Sequence, residues 1–195
     1  MGKGASTREV ILRAAVEAAC LNGFNGLNLK PLADRVGLTK SGLYAHFGSK
    51  AELQLATLEH AAELFQRHVL APAKTEPPGF PRLAGVFRRW LEWPAQAGLP
   101  GNCPFLAGAF ELDSGEGALR ERLVRLFGEF RQILEQLAAA ALRRGQLRAS
   151  TAPAEVAHEL IALRYAHDWA AGLMREPGAR ERTAAAVDAL AAQRP

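Results

Sequence analysis

The sequence is short of the features that mark secreted proteins, membrane proteins and common enzymes. It has two cysteines, Cys20 and Cys103, in 195 residues, too few for a disulfide framework. Residues 1–9 are polar and offer no apolar core for a secretory signal, so a reducing, cytoplasmic setting is expected for both thiols. No apolar run approaches the ~20 residues that a membrane-spanning helix needs, so no membrane partner is expected. Strand-type alternation is absent and no internal repeat is visible. G-x-S-x-G, P-loop, G-x-G-x-x-G and metal-spaced His/Cys patterns are all missing; no enzymatic activity, cofactor or metal is expected. Excess charge is also modest. The formal net charge is +4, and residues 1–60 carry seven Lys/Arg against five Asp/Glu. A polyanion partner fits this balance but is not demanded by it.

What the chain has in quantity is Ala, Leu, Arg and Glu, all good helix formers. Hydrophobic residues make up 49% of it, enough for a sizeable core, and an all-α fold follows. Ser6 and Glu9 have the spacing of a capping box at the start of a first helix. Val10, Ile11, Ala14, Ala15 and Ala18 share one face of that helix, and Gly23 is placed to stop it. Asn28 is a good N-cap for a second helix, with Pro31 in its first turn. Thr39 is a cap for a short third helix ending at Phe47, and Ser49 with Glu52 opens a long fourth helix reaching about Val69. Residues 70–82 hold four prolines and one glycine and read as a linker or sharp turn. Helices are expected over 83–93, 105–112, 116–144, 151–174 (capped by Thr151) and 179–192, with 94–104 as loop. The resulting division is a small helical domain over 1–48, a connecting helix over 49–69, and a second helical domain over 70–195.

A helix, a tight turn at Gly37-Leu38-Thr39 and a second short helix form the helix-turn-helix pattern. The second helix, Lys40 to Phe47, presents small, polar or basic residues outward: Thr39, Lys40, Ser41, Gly42, Tyr44, Ala45 and His46. At ~1.5 Å per residue it is roughly 12 Å long, and it enters a major groove ~12 Å wide end-on. Lys40 suits a guanine edge or a phosphate. Ser41, Gly42 and Ala45 permit close approach to base edges, while Tyr44 and His46 suit phosphates. Lys50, at the start of the next helix, adds charge to a helix N-terminus. Asn28 and Lys30 begin the helix expected to cross the DNA backbone. The same turn also occurs in helical bundles that bind no nucleic acid.

The run GFNGLNLKPLADRVGLTKSGLYAHFGSKAEL resembles the DNA-binding domain of the tetracycline-repressor (TetR) family. The likeness rests on Gly23-Phe24, Leu32-Ala33, Gly37-Leu38-Thr39-Lys40, Leu43-Tyr44, His46-Phe47 and Ser49-Lys50. It continues without gaps from about Thr7 to His60. Leu27-Asn28 departs from it, where the family often has Thr followed by Ser or Thr; a threonine-to-phosphate contact at 27 is thereby lost. The resemblance implies an all-helical molecule in two parts. The first binds double-stranded operator DNA. The second senses a small-molecule effector and forms a homodimer through the last two helices, whose small residues include Ala184, Ala185, Ala186, Ala189, Ala191 and Ala192. It implies a transcriptional regulator, most often a repressor released from an inverted-repeat operator by its ligand.

A weaker resemblance to a C-terminal subgroup of that family covers Trp90, Trp93, Cys103-Pro104-Phe105, Phe110 and Glu111 to Asp113. It makes Phe87, Trp90, Phe105, Phe110, Phe127, Phe130, Tyr165 and Trp169 candidate walls of an effector cavity, although most of them read as plain core. Cys103 sits in a predicted loop with no nearby base or resolving partner and reads as structural. His158 and His167 are nine apart, not the spacing of two ligands on one helical face. Glu111, Asp113 and Glu116 read as helix-dipole partners or exposed charge. Two other functions compete with specific regulation. One is an enzyme with an incidental helix-turn-helix; the other is a DNA binder without sequence preference, which would show a steep salt dependence.

Overall fold

The structure is a computed structural model, and it describes residues 6–148 and 150–191. Its regular elements are helices: α1 (Thr7–Asn22), α2 (Leu29–Arg35), α3 (Lys40–Phe47), α4 (Lys50–Phe65), the short α5 (Ala71–Ala73), α6 (Phe80–Gln96), α7 (Pro104–Glu111), α8 (Ala118–Leu142), α9 (Pro153–His167) and α10 (Ala179–Asp188). Two π-helical stretches, Gln66–Leu70 and Asp168–Leu173, continue α4 and α9. An isolated antiparallel bridge joins Leu147 and Ala191. The all-α expectation holds. Ala192, counted with the last helix, lies outside the described residues.

The chain divides into two compact units. The first takes residues up to Phe65 together with Pro94–Leu126; the second takes Gln66–Trp93 and the chain from Phe127 onward. In the first unit, α1 buries Ile11, Ala15, Val16 and Ala19, and these join Phe24, Leu27, Leu43 and Leu53 in a core of fully enclosed side chains. Removing a side chain the size of Phe24 from water is worth about 2–3 kcal/mol. Helix α7 packs against this core at Gly108. A Cβ there would sit 3.1 Å from the Phe24 ring and 3.2 Å from Leu123, so any larger residue would have to push those side chains back by a few tenths of an ångström. In the second unit, Leu83, Phe87, Trp90, Leu134, Ala138 and Leu160 are buried. The Trp90 ring meets Phe87 and Phe130 edge-on, with centroids 6.0 and 4.8 Å apart.

Local caps set several ends as expected. Ser6 Oγ accepts from the Glu9 N–H, Thr39 Oγ1 from Gly42 and Ser49 Oγ from Glu52. Three expectations need correction. The proline-rich stretch is shorter as a break than its composition suggests, because α5 carries Pro72 and α6 already begins at Phe80. Thr151 is not the cap of α9; Ala152 holds that position, and the Glu155 carboxylate accepts its N–H at 2.9 Å. Pro94 does not open a loop but lies inside α6. Proline has no N–H to donate to the carbonyl four residues back, which here belongs to Trp90. That carbonyl accepts from Arg164 Nη1 at 2.6 Å instead. A buried arginine replaces the donor that proline removed.

Candidate nucleic-acid interface

Helix α3 is short and two-sided. Leu43 and Phe47, one turn apart, are buried and fasten it to the first unit's core. Lys40, Ser41, Tyr44, Ala45 and His46 are exposed and Gly42 is half-buried. Lys40, Ser41, Tyr44 and Ala45 together line a shallow open recess on the surface. Gly37 turns the chain between α2 and α3 with φ of 71°, a conformation that a side chain would strain. The Thr39 hydroxyl is committed to the α3 cap, 3.0 Å from the Gly42 nitrogen, and lies 3.1 Å from Ser41 Oγ. Lys40 beside it has no carboxylate partner among the described residues, and its charge faces outward.

Helix α2 contributes differently from its sequence reading. Asn28 stands at the cap position, but its side chain makes no capping hydrogen bond; exposed there, the amide is available to an external partner. Leu27 is fully buried, so the core takes the position where the family often has threonine. Lys30 pairs with Asp34 at 3.0 Å, both side chains well exposed. Such a pair is weak, and exchanging it for a phosphate costs little. Lys50 Nζ donates to the Asn25 carbonyl at 2.7 Å and so holds the turn before α2.

Three residues that position α3 or its supporting turns were not picked out as functional from sequence. Arg8 Nη1 donates to the His46 carbonyl at 2.8 Å, and its guanidinium lies 4.4 Å from the centre of the Phe47 ring. A cation thus caps the carboxyl end of α3. Glu111, read as a dipole partner or exposed charge, is the half-buried last residue of α7. Its carboxylate accepts the N–H groups of Phe24 and Asn25 at 2.7 and 2.6 Å. Gln54 Nε2 donates to the Phe24 carbonyl at 2.8 Å. With Lys50, the Glu111 and Gln54 side chains satisfy the N–H and the C=O of both Phe24 and Asn25 in the α1–α2 turn. Arg13 makes a parallel link, donating to the Ala97 and Gly98 carbonyls at 2.7 and 2.8 Å while pairing with Glu17. No local signal announces the bonds to these backbone groups, since their partners are 25 to 87 residues apart.

Comparison with known proteins decides what this arrangement belongs to. The profile for bacterial regulatory proteins of the tetR family matches residues 11–57, and the tetracyclin repressor-like C-terminal domain matches residues 79–187. The chain belongs to the TetR family. As a TetR-family protein it is a DNA-binding transcriptional regulator. An HTH-type transcriptional regulator in the lacX 3′ region of Lactococcus lactis subsp. lactis is 29% identical over 164 residues, covering 80% of this chain and 79% of the relative. A TetR regulator from Chloroflexus aurantiacus superposes with a TM-score of 0.80 at 24% identity, covering 94% of both chains. AibR, solved with isovaleryl coenzyme A and operator DNA, superposes with a TM-score of 0.74 at 20% identity, covering 95% of this chain and 98% of that one.

The candidate effector-cavity residues of this TetR-family chain are dispersed. Phe87, Trp90 and Phe130 form one aromatic cluster in the second unit. Phe105 belongs to the first unit, its ring 5.8 Å from Phe65. Phe127 and Tyr165 are half-buried, and Phe110 and Trp169 are exposed. Arg164, 2% exposed, stands over the Trp90 ring and pairs with Asp168 at 2.9 Å; its Nε has no hydrogen-bond partner. Burial, opposed by Arg164, pushes the Asp168 carboxyl up. Burial and the same arginine push the His167 imidazole down, and its Nδ1 lies 3.1 Å from Thr183 Oγ1. His158 is exposed. Cys103 closes the loop before α7, as expected, and is fully buried there at the cap position. Cys20 is buried as well, and burial with the nearby Cys103 raises its thiol to about 12. No helix is long and apolar enough to cross a membrane among the described residues.

Proposed function

We propose that the protein is a homodimeric, sequence-specific repressor that an effector releases from an inverted-repeat operator. The observation that carries the reading is the outward face of α3. There, an unpaired Lys40, small Ser41 and Ala45, and exposed Tyr44 surround one recess on a helix capped at both ends. In this reading residues 1–48 bind DNA, 49–69 connect and 70–195 serve sensing and dimerisation. Lys40 reaches a guanine edge or phosphate. Tyr44, His46, Lys30 and Asn28 hold phosphates, while Ser41, Gly42 and Ala45 let the backbone approach the bases. Lys50 contributes by fixing the turn before α2 as well as by its charge. Dimerisation through the last two helices is supported by the exposed Trp169, Leu173 and Met174 beyond α9 and the exposed Ala184, Ala185 and Ala189. A two-fold dimer places two reading helices one DNA turn apart, about 34 Å. Effector control is supported by the structurally similar AibR, whose structure holds both an acyl-coenzyme A and operator DNA.

Selection of bound sites from random duplex DNA by the purified protein tests this directly. An enriched palindrome is expected, and Lys40→Ala or Tyr44→Ala should abolish its retention in gel-shift titrations while sedimentation still shows a dimer. Random duplex bound as tightly as any selected site would overturn specific regulation in favour of a non-specific binder.

A further inference from the structure

The second unit contains a half-open cavity of about 280 Å³ that the candidate aromatic residues, except through neighbouring positions on α6, do not define. Its apolar walls are Leu70, Ala73, Val86, Ile133 and Leu137. Its remaining lining is Gln66, Lys74 and Arg82. The charged residues in its lining are therefore both cationic. One wall is the π-helical stretch Gln66–Leu70, which contributes Gln66 and Leu70. Single π turns interrupting α-helices recur at functional sites, because they displace side chains from the regular ladder.

The two cations are held ready. Arg82 Nε donates to the Glu76 carbonyl at 3.1 Å, and Nη2 donates to the carbonyls of Lys74 and Glu76 at 3.0 and 2.8 Å. These bonds fix the guanidinium on the turn between α5 and α6 and leave Nη1 without a partner among the described residues. Lys74 is exposed and has no carboxylate partner there either. Nearby Arg88 and Arg89 differ, since both face the Glu76 carboxylate, at 4.0 and 3.1 Å. The acid closest in sequence is thus engaged away from Lys74 and Arg82.

We propose that this cavity binds a small amphipathic monocarboxylate, with its carboxylate on Lys74, Arg82 and the Gln66 amide and its hydrocarbon against Leu70, Val86, Ile133 and Leu137. The proposal rests on the effector-responsive reading above and names the effector's chemical class. A space of this volume lies just below the usual range of small-molecule sites, roughly 300–1,000 Å³. It suits a short acyl chain or a single aromatic ring rather than a polycyclic ligand. An amine or a metal cation would meet two like charges with no acid to offset them. A neutral alcohol would fill the apolar walls and leave both cations unanswered, losing the charge-assisted bonds that are the stronger kind.

Calorimetric titration of the full-length protein with hexanoate and with benzoate tests the proposal, using hexan-1-ol and hexylamine as size-matched controls. At least one acid should bind about tenfold or more tightly than either control. Lys74→Glu, a change at an exposed position, should weaken acid binding about tenfold without moving the thermal unfolding midpoint. Arg82→Gln should act in the same direction. Absence of binding by both acids, equal binding of hexan-1-ol, or an undiminished affinity in Lys74→Glu would overturn it. Gel shifts with the selected operator separate this result from the regulatory reading. Acid binding that leaves operator affinity unchanged supports the site and overturns effector control through it. Operator release by another compound class, with neither acid bound, overturns the cavity assignment and leaves effector control standing.

Discussion

The first unit fastens its turns with side chains that reach across to the backbone, as Glu111, Gln54 and Lys50 do at Phe24 and Asn25 and Arg13 does at Ala97 and Gly98. The second unit holds both π-helical stretches found among the described residues and the buried Arg164–Asp168 pair. The contrast separates two mechanical tasks. On the proposed function a reading helix has to keep one orientation, and the first unit ties down its turns with side-chain bonds to the backbone. On the same proposal a sensing region has to have more than one arrangement within reach, and the second unit's π turns and buried arginine with an unsatisfied Nε are local departures from regular packing. Ligand control needs such a bistable element, since an effector shifts an equilibrium only by its differential affinity for the two states.

The contrast can be broken from either side. The largest effect is expected for Arg164→Ala, which removes the donor to the Trp90 carbonyl and leaves Asp168 partly buried without its cation. A loss of about 3 kcal/mol should appear in urea unfolding. A loss below ~1 kcal/mol would mean that the second unit does not depend on this charge. Glu111→Ala should cost about 2 kcal/mol by leaving two N–H groups unsatisfied, and should also weaken operator binding. Glu111→Gln, which retains an acceptor, should lose less of both; equal loss would mean that packing rather than acceptance matters at 111. Cys20 tests enclosure of the first unit without altering it. With its thiol raised to about 12, alkylation at pH 8 should be far slower in the native protein than after denaturation. The smallest effect concerns His167, whose imidazole is held below its ordinary value of 6.5. The folded chain then binds fewer protons than the unfolded chain, so stability is complete above that value and declines as the pH falls through and below it. His167→Gln should flatten this slope in urea midpoints measured between pH 7 and 5.

The helix-turn-helix was readable because its signals are local. Ser6, Thr39 and Ser49 cap the helices they immediately precede, and the turn glycine at 37 and the paired Leu43 and Phe47 lie within one short window. Pro94 was misleading for the opposite reason. Its place inside α6 is coupled to Arg164, a donor whose bond spans 74 residues. Glu111 was misread because its helix ends at that residue, and the amides it serves are 86 and 87 positions away. The effector region was least legible. Aromatic side chains serve a core and a cavity equally well, and what distinguishes the cationic cavity is the backbone course around Lys74 and Arg82.

The discontinuous first unit bears on how such regulators can be recombined. A fragment ending at Phe65 would carry the reading helix yet lack Glu111 and the carbonyls that Arg13 holds. A chimera made by one cut after α4, joining this head to a foreign sensor, would supply different residues where 94–126 belong. The compact unit that carries α3 is not one stretch of chain but two, and transplanting it intact requires two grafts, the second placed inside the recipient's C-terminal domain.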